Sequence, residues 1–367
     1  MKRSLWTAKL VYDNGALRSG WGLLAADGAA QDLGPLTELQ GRYPGLPLQD
    51  KGVYLGPPLV NAHTHLDLGL LPTFKGGFSE FLEYVISNSA ARGLAAARQA
   101  IPHLGQRVLG SIASNDEALV SWLLSEAELE GVVYWEVLGL LPEQDERELI
   151  ARTAALLRRW KALERPGGMH LGLSPHAPYS LTPSLMRATV DMALELGLPL
   201  QIHAAESPAE VEYFARRSGP IAKFYEKRGL PADLHPTGLS PIEYLAELGV
   251  LDARPTLVHG VQVSESDVRT VAASGSTLVS CPRSNVNLQA GLPPYDLYRR
   301  HGVTVALGTD SHASAESLDV RDEAYFLLEA GLSEEESLRM ALAGYDALRL
   351  PRPGFGKGTP LGQVEFW

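Results

Sequence analysis

An α/β barrel of eight parallel strands, each followed by a helix, is the fold this 367-residue chain predicts. Two observations carry the prediction. From about residue 58 onward, apolar strand-sized runs alternate with helix-sized spacers, the signature of a parallel sheet. Eight such runs can be placed, ending near residues 62, 112, 137, 173, 202, 259, 280 and 309. A TIM-type (β/α)8 barrel takes about 250 residues, which leaves room for a small β-sandwich element contributed by the two termini. The expected division is 1–57 plus 352–367 for that element and 58–351 for the barrel.

The N-terminal stretch reads as short strands, at 5–12 and 20–25, broken by Asn14-Gly15 and Asp27-Gly28. Such pairs between apolar runs are hairpin signals. Within the barrel, Ser207-Pro208-Ala209-Glu210 combines an N-cap, a proline at the first helical position and a Glu placed to reach back. Thr182-Pro183 opens another helix that Gly197 closes, and Ser333 with Glu336 repeats the capping box. The longest connection, 206–256, carries Tyr213, Phe224 and Tyr225 and a Pro/Gly-rich piece at 229–238. Long connections on one side of a barrel usually cover substrate. The tail, Gln363-Val364-Glu365-Phe366-Trp367, reads as one strand joining the N-terminal element.

Composition excludes several function classes. A net charge of −11 argues against unaided nucleic-acid or acidic-membrane binding. The single cysteine, Cys281, permits no intrachain disulfide and fits a reducing compartment. With neither a signal-peptide pattern nor an apolar span long enough to cross a bilayer, a cytoplasmic location is expected.

The chemistry lies at the strand ends. Residues i and i+2 of a strand share a face, so in Val60-Asn61-Ala62-His63-Thr64-His65 two imidazoles aim at one point. A barrel would bring them to the same mouth as Gln201-Ile202-His203, Leu257-Val258-His259-Gly260 and Gly308-Thr309-Asp310. His63, His65, His203 and Asp310 suit one divalent, zinc-class ion with a position left for water. Glu206 is either a solvent-facing residue before the Ser207 cap or a proton holder over the substrate; a metal nearby favours the second. His259 is open to three readings: a second-metal ligand, a hydrogen-bonder to the attacking water, or a satisfied core residue. No lysine in Ser174-Pro175-His176-Ala177-Pro178 offers a bridge, which favours one metal, with His259 and Asp310 flanking water and His176 facing the substrate. Arg283 has two readings, an anion contact or a loop-fixing role, and His312 stands at the mouth beside Asp310. Lys223 and Arg228 are further candidates for an anion. His103, His170, His235 and His301 read as surface or core, and Cys281, ending an apolar run without a paired base, is not a nucleophile.

Taken together, the motifs at 61–66, 174–179, 203–206, 257–260, 282–285 and 308–311 resemble the amidohydrolase superfamily, in its branch of chlorohydrolases and nucleobase deaminases. The resemblance implies a (β/α)8 barrel with a terminal β-sandwich and one Zn²⁺ or Fe²⁺. It implies His63, His65, His203 and Asp310 as ligands, Glu206 as proton shuttle, His259 as water-orienting residue and His176 as substrate contact. The tail departs from the pattern: where members continue with an Ala-Asp-Leu strand, only Gly362-Gln363-Val364-Glu365 follows the glycine turn, so a reduced sandwich is expected.

Within the branch, Trp135-Glu136-Val137-Leu138-Gly139 and the compact length are most similar to the aminodeoxyfutalosine deaminases of menaquinone biosynthesis. The implied reaction is attack of metal-activated water at C6 of a 6-aminopurine nucleoside with loss of ammonia. Alternatives are deaminases of adenosine, S-adenosylhomocysteine, methylthioadenosine or guanine, and a cyclic-amide hydrolase of the imidazolonepropionase kind. A non-catalytic scaffold is disfavoured because every expected ligand position is filled. The expected partner is thus a small purine nucleoside, with neither nucleic acid nor membrane, and a homo-oligomer is left open.

Overall fold

The computed structural model describes residues 3–139, 145–231 and 233–367; position 232 of the long 206–256 connection lies outside the described residues. The chain divides into two compact units, Met1–Leu59 with Ser333–Glu336 and Pro351–Trp367, and Val60–Leu332 with Ser337–Leu350.

The first unit holds two four-stranded sheets. One runs β5-β4-β1-β6, built from β1 (Ser4–Thr7), β4 (Trp21–Ala26), β5 (Ala29–Pro35) and β6 (Leu48–Asp50). The other runs β16-β7-β2-β3, from β2 (Leu10–Asp13), β3 (Ala16–Arg18), β7 (Tyr54–Gly56) and the C-terminal β16 (Glu365–Phe366). Both hairpin signals form turns with left-handed backbone, Asn14 and Gly15 at φ +45° and +89°, Asp27 and Gly28 at +51° and +80°, as two-residue loops of the primed kind require. The run at 5–12, expected as one strand, is two strands in different sheets. The break at Ala8 and Lys9 lets both sheets line one core of Val11, Leu23, Ala25, Ala30, Leu55, Leu361 and Val364. A continuous strand would have kept both halves in one sheet.

The second unit is the barrel. Its strands are β8 (Val60–Thr64), β9 (Val108–Ala113), β10 (Glu130–Val137), β11 (Met169–Pro175), β12 (Gln201–Ala204), β13 (Thr256–His259), β14 (Thr277–Ser280) and β15 (Val305–Leu307). All pair in parallel in two runs of four, β8 to β11 and β12 to β15. Parallel bridges Leu173↔Leu200 and Thr64↔Asp310 join the runs and close the barrel.

Alternation sorts the side chains. On β10, Val132 and Tyr134 enter the inner cluster with Val60, Ala62, Val258, Val279 and Ala306. Their neighbours Val133, Trp135 and Val137 pack outward among helix residues such as Leu123, Leu157 and Trp160. The capping expectations at Thr182 and Ser333 are met: Thr182 Oγ1 accepts from the Leu185 N–H at 3.1 Å, and Ser333 and Glu336 exchange side-chain to backbone bonds.

Among the described residues the 206–256 connection carries three α-helices, Pro208–Arg216, Gly219–Lys227 and Pro241–Glu247. An aromatic cluster of Phe78, Tyr179, Tyr213, Phe214, Tyr225 and Tyr244 packs them against the end of β11. His235 is buried there, bonded to Tyr213 Oη and to the Leu181 carbonyl, each at 2.8 Å. Among the described residues no helix is long and apolar enough to cross a membrane.

Candidate active site

Strand alternation alone would not deliver the His63 and His65 rings to the mouth. Val60 and Ala62 already occupy the inner face of β8, so His63 would be expected outside. A register shift between Asn61 and Thr64 in the β8–β9 pairing changes the parity, and both rings face inward. Gly308 makes the close approach of β15 feasible: a Cβ there would sit 2.8 Å from the His63 backbone.

The nitrogens converge. His65 Nε2 lies 3.3 Å from His203 Nε2, and His63 Nε2 and His65 Nε2 are each 3.7 Å from Asp310 Oδ1. The opposite edges of three rings are fixed by partners. His63 Nδ1 meets Gln201 Oε1 at 2.7 Å, His203 Nδ1 donates to the His176 carbonyl at 2.9 Å, and His259 Nδ1 meets Asn285 Oδ1 at 2.8 Å. The Gln201 amide is itself oriented by donating to the Ala62 carbonyl, so its oxygen faces His63. Protons thereby sit on Nδ1, and the Nε2 lone pairs point into the mouth. Asp310 Oδ2 accepts from Ser284 and Ser314 hydroxyls at 2.6 and 2.8 Å, leaving Oδ1 for the centre.

This donor set fits a zinc-class ion. His63 Nε2 is buried with no hydrogen-bond partner among the described residues, a state a bound cation relieves. Three imidazoles and one carboxylate are its usual ligands. Burial, then neighbouring imidazoles, holds His203 well below the ordinary histidine range, and the nearby His63 and His65 imidazoles hold Asp310 low against its burial. Neutral imidazole beside ionised carboxylate is the metal-binding state. His65 alone is raised, since Asp67 and Asp310 outweigh burial; a cation competes for that proton.

Glu206 and His259 stand beside the centre, His259 Nε2 being 3.7 Å from Glu206 Oε1. Burial, then the Asp310 and Glu210 charges, raises Glu206 well above the carboxylate range. Burial lowers His259 to about 4. A carboxyl made more basic by its surroundings thus faces a neutral imidazole, an arrangement suited to moving a proton. The backbone is left-handed at Ala205, His259 and Asp310, with φ of +51°, +74° and +57°. Such conformations cost roughly 1–2 kcal/mol per non-glycine residue and cluster where sites are built.

The other predicted residues fall in different places. His176 lies against the cluster, its ring 5.0 Å from that of His203 and its Nδ1 2.7 Å from Ser180 Oγ. His312 Nδ1 meets the Leu71 carbonyl at 3.0 Å, in the loop after Asp310. Arg283 Nη1 lies 3.9 Å from both Asp322 and Glu323, the geometry of its loop-fixing reading. Arg228 stacks on Phe224. Sequence reasoning missed Gln201, Asn285, Ser284 and Ser314, which orient ligands. Gln201 had a signal, standing two positions before His203 on one strand face. The others belong to separate elements, and no spacing reveals them.

Over residues 54–352 the chain matches the profile described as Amidohydrolase family, and it belongs to that family. It is a metal-dependent hydrolase of the deaminase kind, acting on C–N bonds. It is 39% identical over 359 residues to the aminodeoxyfutalosine deaminase of Deinococcus radiodurans, spanning 93% of this chain and 84% of that one. Its fold is similar to that of Helicobacter pylori aminofutalosine deaminase, solved with methylthio-coformycin, at TM-score 0.78 and 24% identity over 97% of this chain and 90% of that chain. An adenosine deaminase from Xanthomonas campestris with bound zinc is similar at TM-score 0.64 and 20% identity, over 96% and 81% of the two chains.

Proposed function

We propose that the protein deaminates 6-amino-6-deoxyfutalosine, an adenine nucleoside with a carboxybenzoyl tail, on the futalosine route to menaquinone. The observation that carries the reaction is the raised, buried Glu206 beside the neutral His259 at the rim of the His63, His65, His203 and Asp310 centre. The likeness to the Deinococcus radiodurans enzyme along nearly the whole chain supports the substrate. A cavity of about 560 Å³ borders Ser207, next to Glu206, and is lined by Phe74, Phe78, Pro208 and Lys75. The aromatic faces would pack a benzoyl ring, while Glu80 and Lys75, the latter 3.5 Å from Glu316, supply the charges of the lining.

His63, His65, His203 and Asp310 would hold one divalent ion, zinc by analogy with the bound relative. When bound, such an ion supplies the Lewis acidity that makes water nucleophilic near neutral pH. Glu206 accepts a proton as water attacks C6 and delivers it to the adjacent ring nitrogen. His259, neutral and held by Asn285, orients the water. His176 contacts the purine, and the aromatic cover excludes bulk solvent. Ammonia leaves.

The test is ammonia release by metal-analysed protein from aminodeoxyfutalosine, adenosine, S-adenosylhomocysteine, methylthioadenosine and guanine in parallel. A strong preference for aminodeoxyfutalosine supports the reading. Preference for another purine overturns the substrate and leaves the mechanism. Silence on all five, with metal bound, overturns the deaminase reading.

A further inference from the structure

Glu136 is an acid that the reaction above does not use. It follows Val132 and Tyr134 on the inner face of β10 and so is the last inward position before the mouth. The Ser114 hydroxyl donates to its Oε2, while Oε1 has no hydrogen-bond partner among the described residues, although the residue is only 6% exposed. One ligand atom each of Glu136, His176 and His203 lies within 4.8 Å of the others. A buried carboxylate oxygen left unsatisfied is costly, and each such group asks for a partner. The nearby Arg92 gives its Nε and Nη2 to Asp67 and makes no hydrogen bond to Glu136 Oε1.

We propose that Glu136 contacts the substrate, its Oε1 accepting a hydrogen bond from a neutral N–H or O–H donor; the assignment rests on the nucleoside-deaminase reading of the site. A carboxyl oxygen without a partner accepts a hydrogen bond, so the position selects a donor. Glu206 follows β12, whereas Glu136 ends the inner face of β10, so the substrate ring meets two acidic groups from different strands. The donors a 6-aminopurine nucleoside offers are its exocyclic amine and its sugar hydroxyls. Ser114 holds the carboxylate in place. A metal role for Glu136 is the competing outcome.

The experiment uses metal-loaded enzyme carrying Glu136→Met, with Glu136→Gln as the conservative variant and Ser114→Ala as a milder one. The substrates are adenosine, 6-methoxypurine ribonucleoside, 2′-deoxyadenosine, 3′-deoxyadenosine and 5′-deoxyadenosine, with metal content measured for every protein. For Glu136→Met, kcat/KM on adenosine should fall roughly 10- to 100-fold at unchanged metal content. The loss should vanish on whichever analogue lacks the contacted donor: the 6-methoxy compound for the amine, a deoxy compound for a hydroxyl. Glu136→Gln, which keeps an acceptor, should recover part of the activity, and Ser114→Ala should show the same pattern more weakly.

An equal loss on all five substrates, or none, overturns the assignment. So does a drop in metal stoichiometry in Glu136→Met, which would make the carboxylate a ligand. If the wild-type enzyme is active on aminodeoxyfutalosine alone, the same comparison is read on that nucleoside and its analogues lacking the amine or one hydroxyl; inactivity on it and on all five overturns the deaminase reading and the assignment with it.

Discussion

The backbone N–H of Glu206 donates to the carboxylate of Glu210, 2.9 Å away. The Ser-Pro-Ala-Glu motif predicts that this carboxylate returns to the cap residue. Ser207 does cap the helix, accepting from the Glu210 N–H at 3.3 Å. The Glu210 side chain instead reaches one residue further, to Glu206. The first turn of helix Pro208–Arg216 is therefore tied to the residue that handles the proton, across a left-handed Ala205. Glu210→Ala should lower kcat by about 10²-fold, the scale of a small misplacement of a reacting group, at unchanged metal content. Glu210→Gln, whose amide oxygen still accepts, should recover most of it. Unaltered kcat in Glu210→Ala would separate the helix from the chemistry.

Glu206→Gln keeps shape and loses the proton. Turnover should drop roughly 10²–10⁴-fold, while metal content and thermal midpoint stay those of the parent. Near-normal turnover would remove Glu206 from the mechanism.

The ligands and their supports should be separable. His63→Ala should lose metal occupancy in elemental analysis. Gln201→Leu leaves all four ligands in place but frees the His63 ring, and metal affinity should fall roughly 10- to 100-fold, read in a competition titration against a chelating dye.

His235 gives a pH dependence of stability. Burial holds it down at about 4, against an ordinary 6.5. Between those values the unfolded chain binds the extra proton. The contribution is present above 6.5 and is lost as pH falls toward 4, and its size is on the order of 3 kcal/mol. Urea midpoints at pH 7 and pH 4.5 should differ less in His235→Gln than in the parent. Equal differences would mean that the Tyr213 and Leu181 contacts do not depend on a neutral ring.

Gly308→Ala tests the closure of the barrel. The new methyl would press on the His63 backbone, and overpacking of this kind costs about 1–3 kcal/mol. Metal affinity should fall along with the thermal midpoint, because the displaced strand carries His63. A variant with parental stability and affinity would show that β8 and β15 have slack.

The sequence by itself determined the barrel, its eight strand ends to within about two residues, and the small β element from both termini. Strand and helix periods, glycine turns and N-caps are local, and each is written in a few consecutive residues. It also placed His63, His65, His203, His259 and Asp310 at a common mouth, because parallel strand ends must meet there. What only the tertiary structure decided is how those residues aim. The shift between Asn61 and Thr64 that turns two histidines inward depends on the neighbouring strand β9, and no run of residues encodes it. Gln201, Asn285, Ser284 and Ser314 orient rings and a carboxylate from three other elements, at separations of up to 138 residues. Glu136 stood in the sequence within the Trp135-Glu136-Val137-Leu138-Gly139 motif, with no role of its own attached to it. Only burial beside His176 and His203, with one oxygen tied and the other unpartnered, distinguishes it from a structural acid. Local chemistry fixes elements, whereas orientation and desolvation are properties of the packed whole.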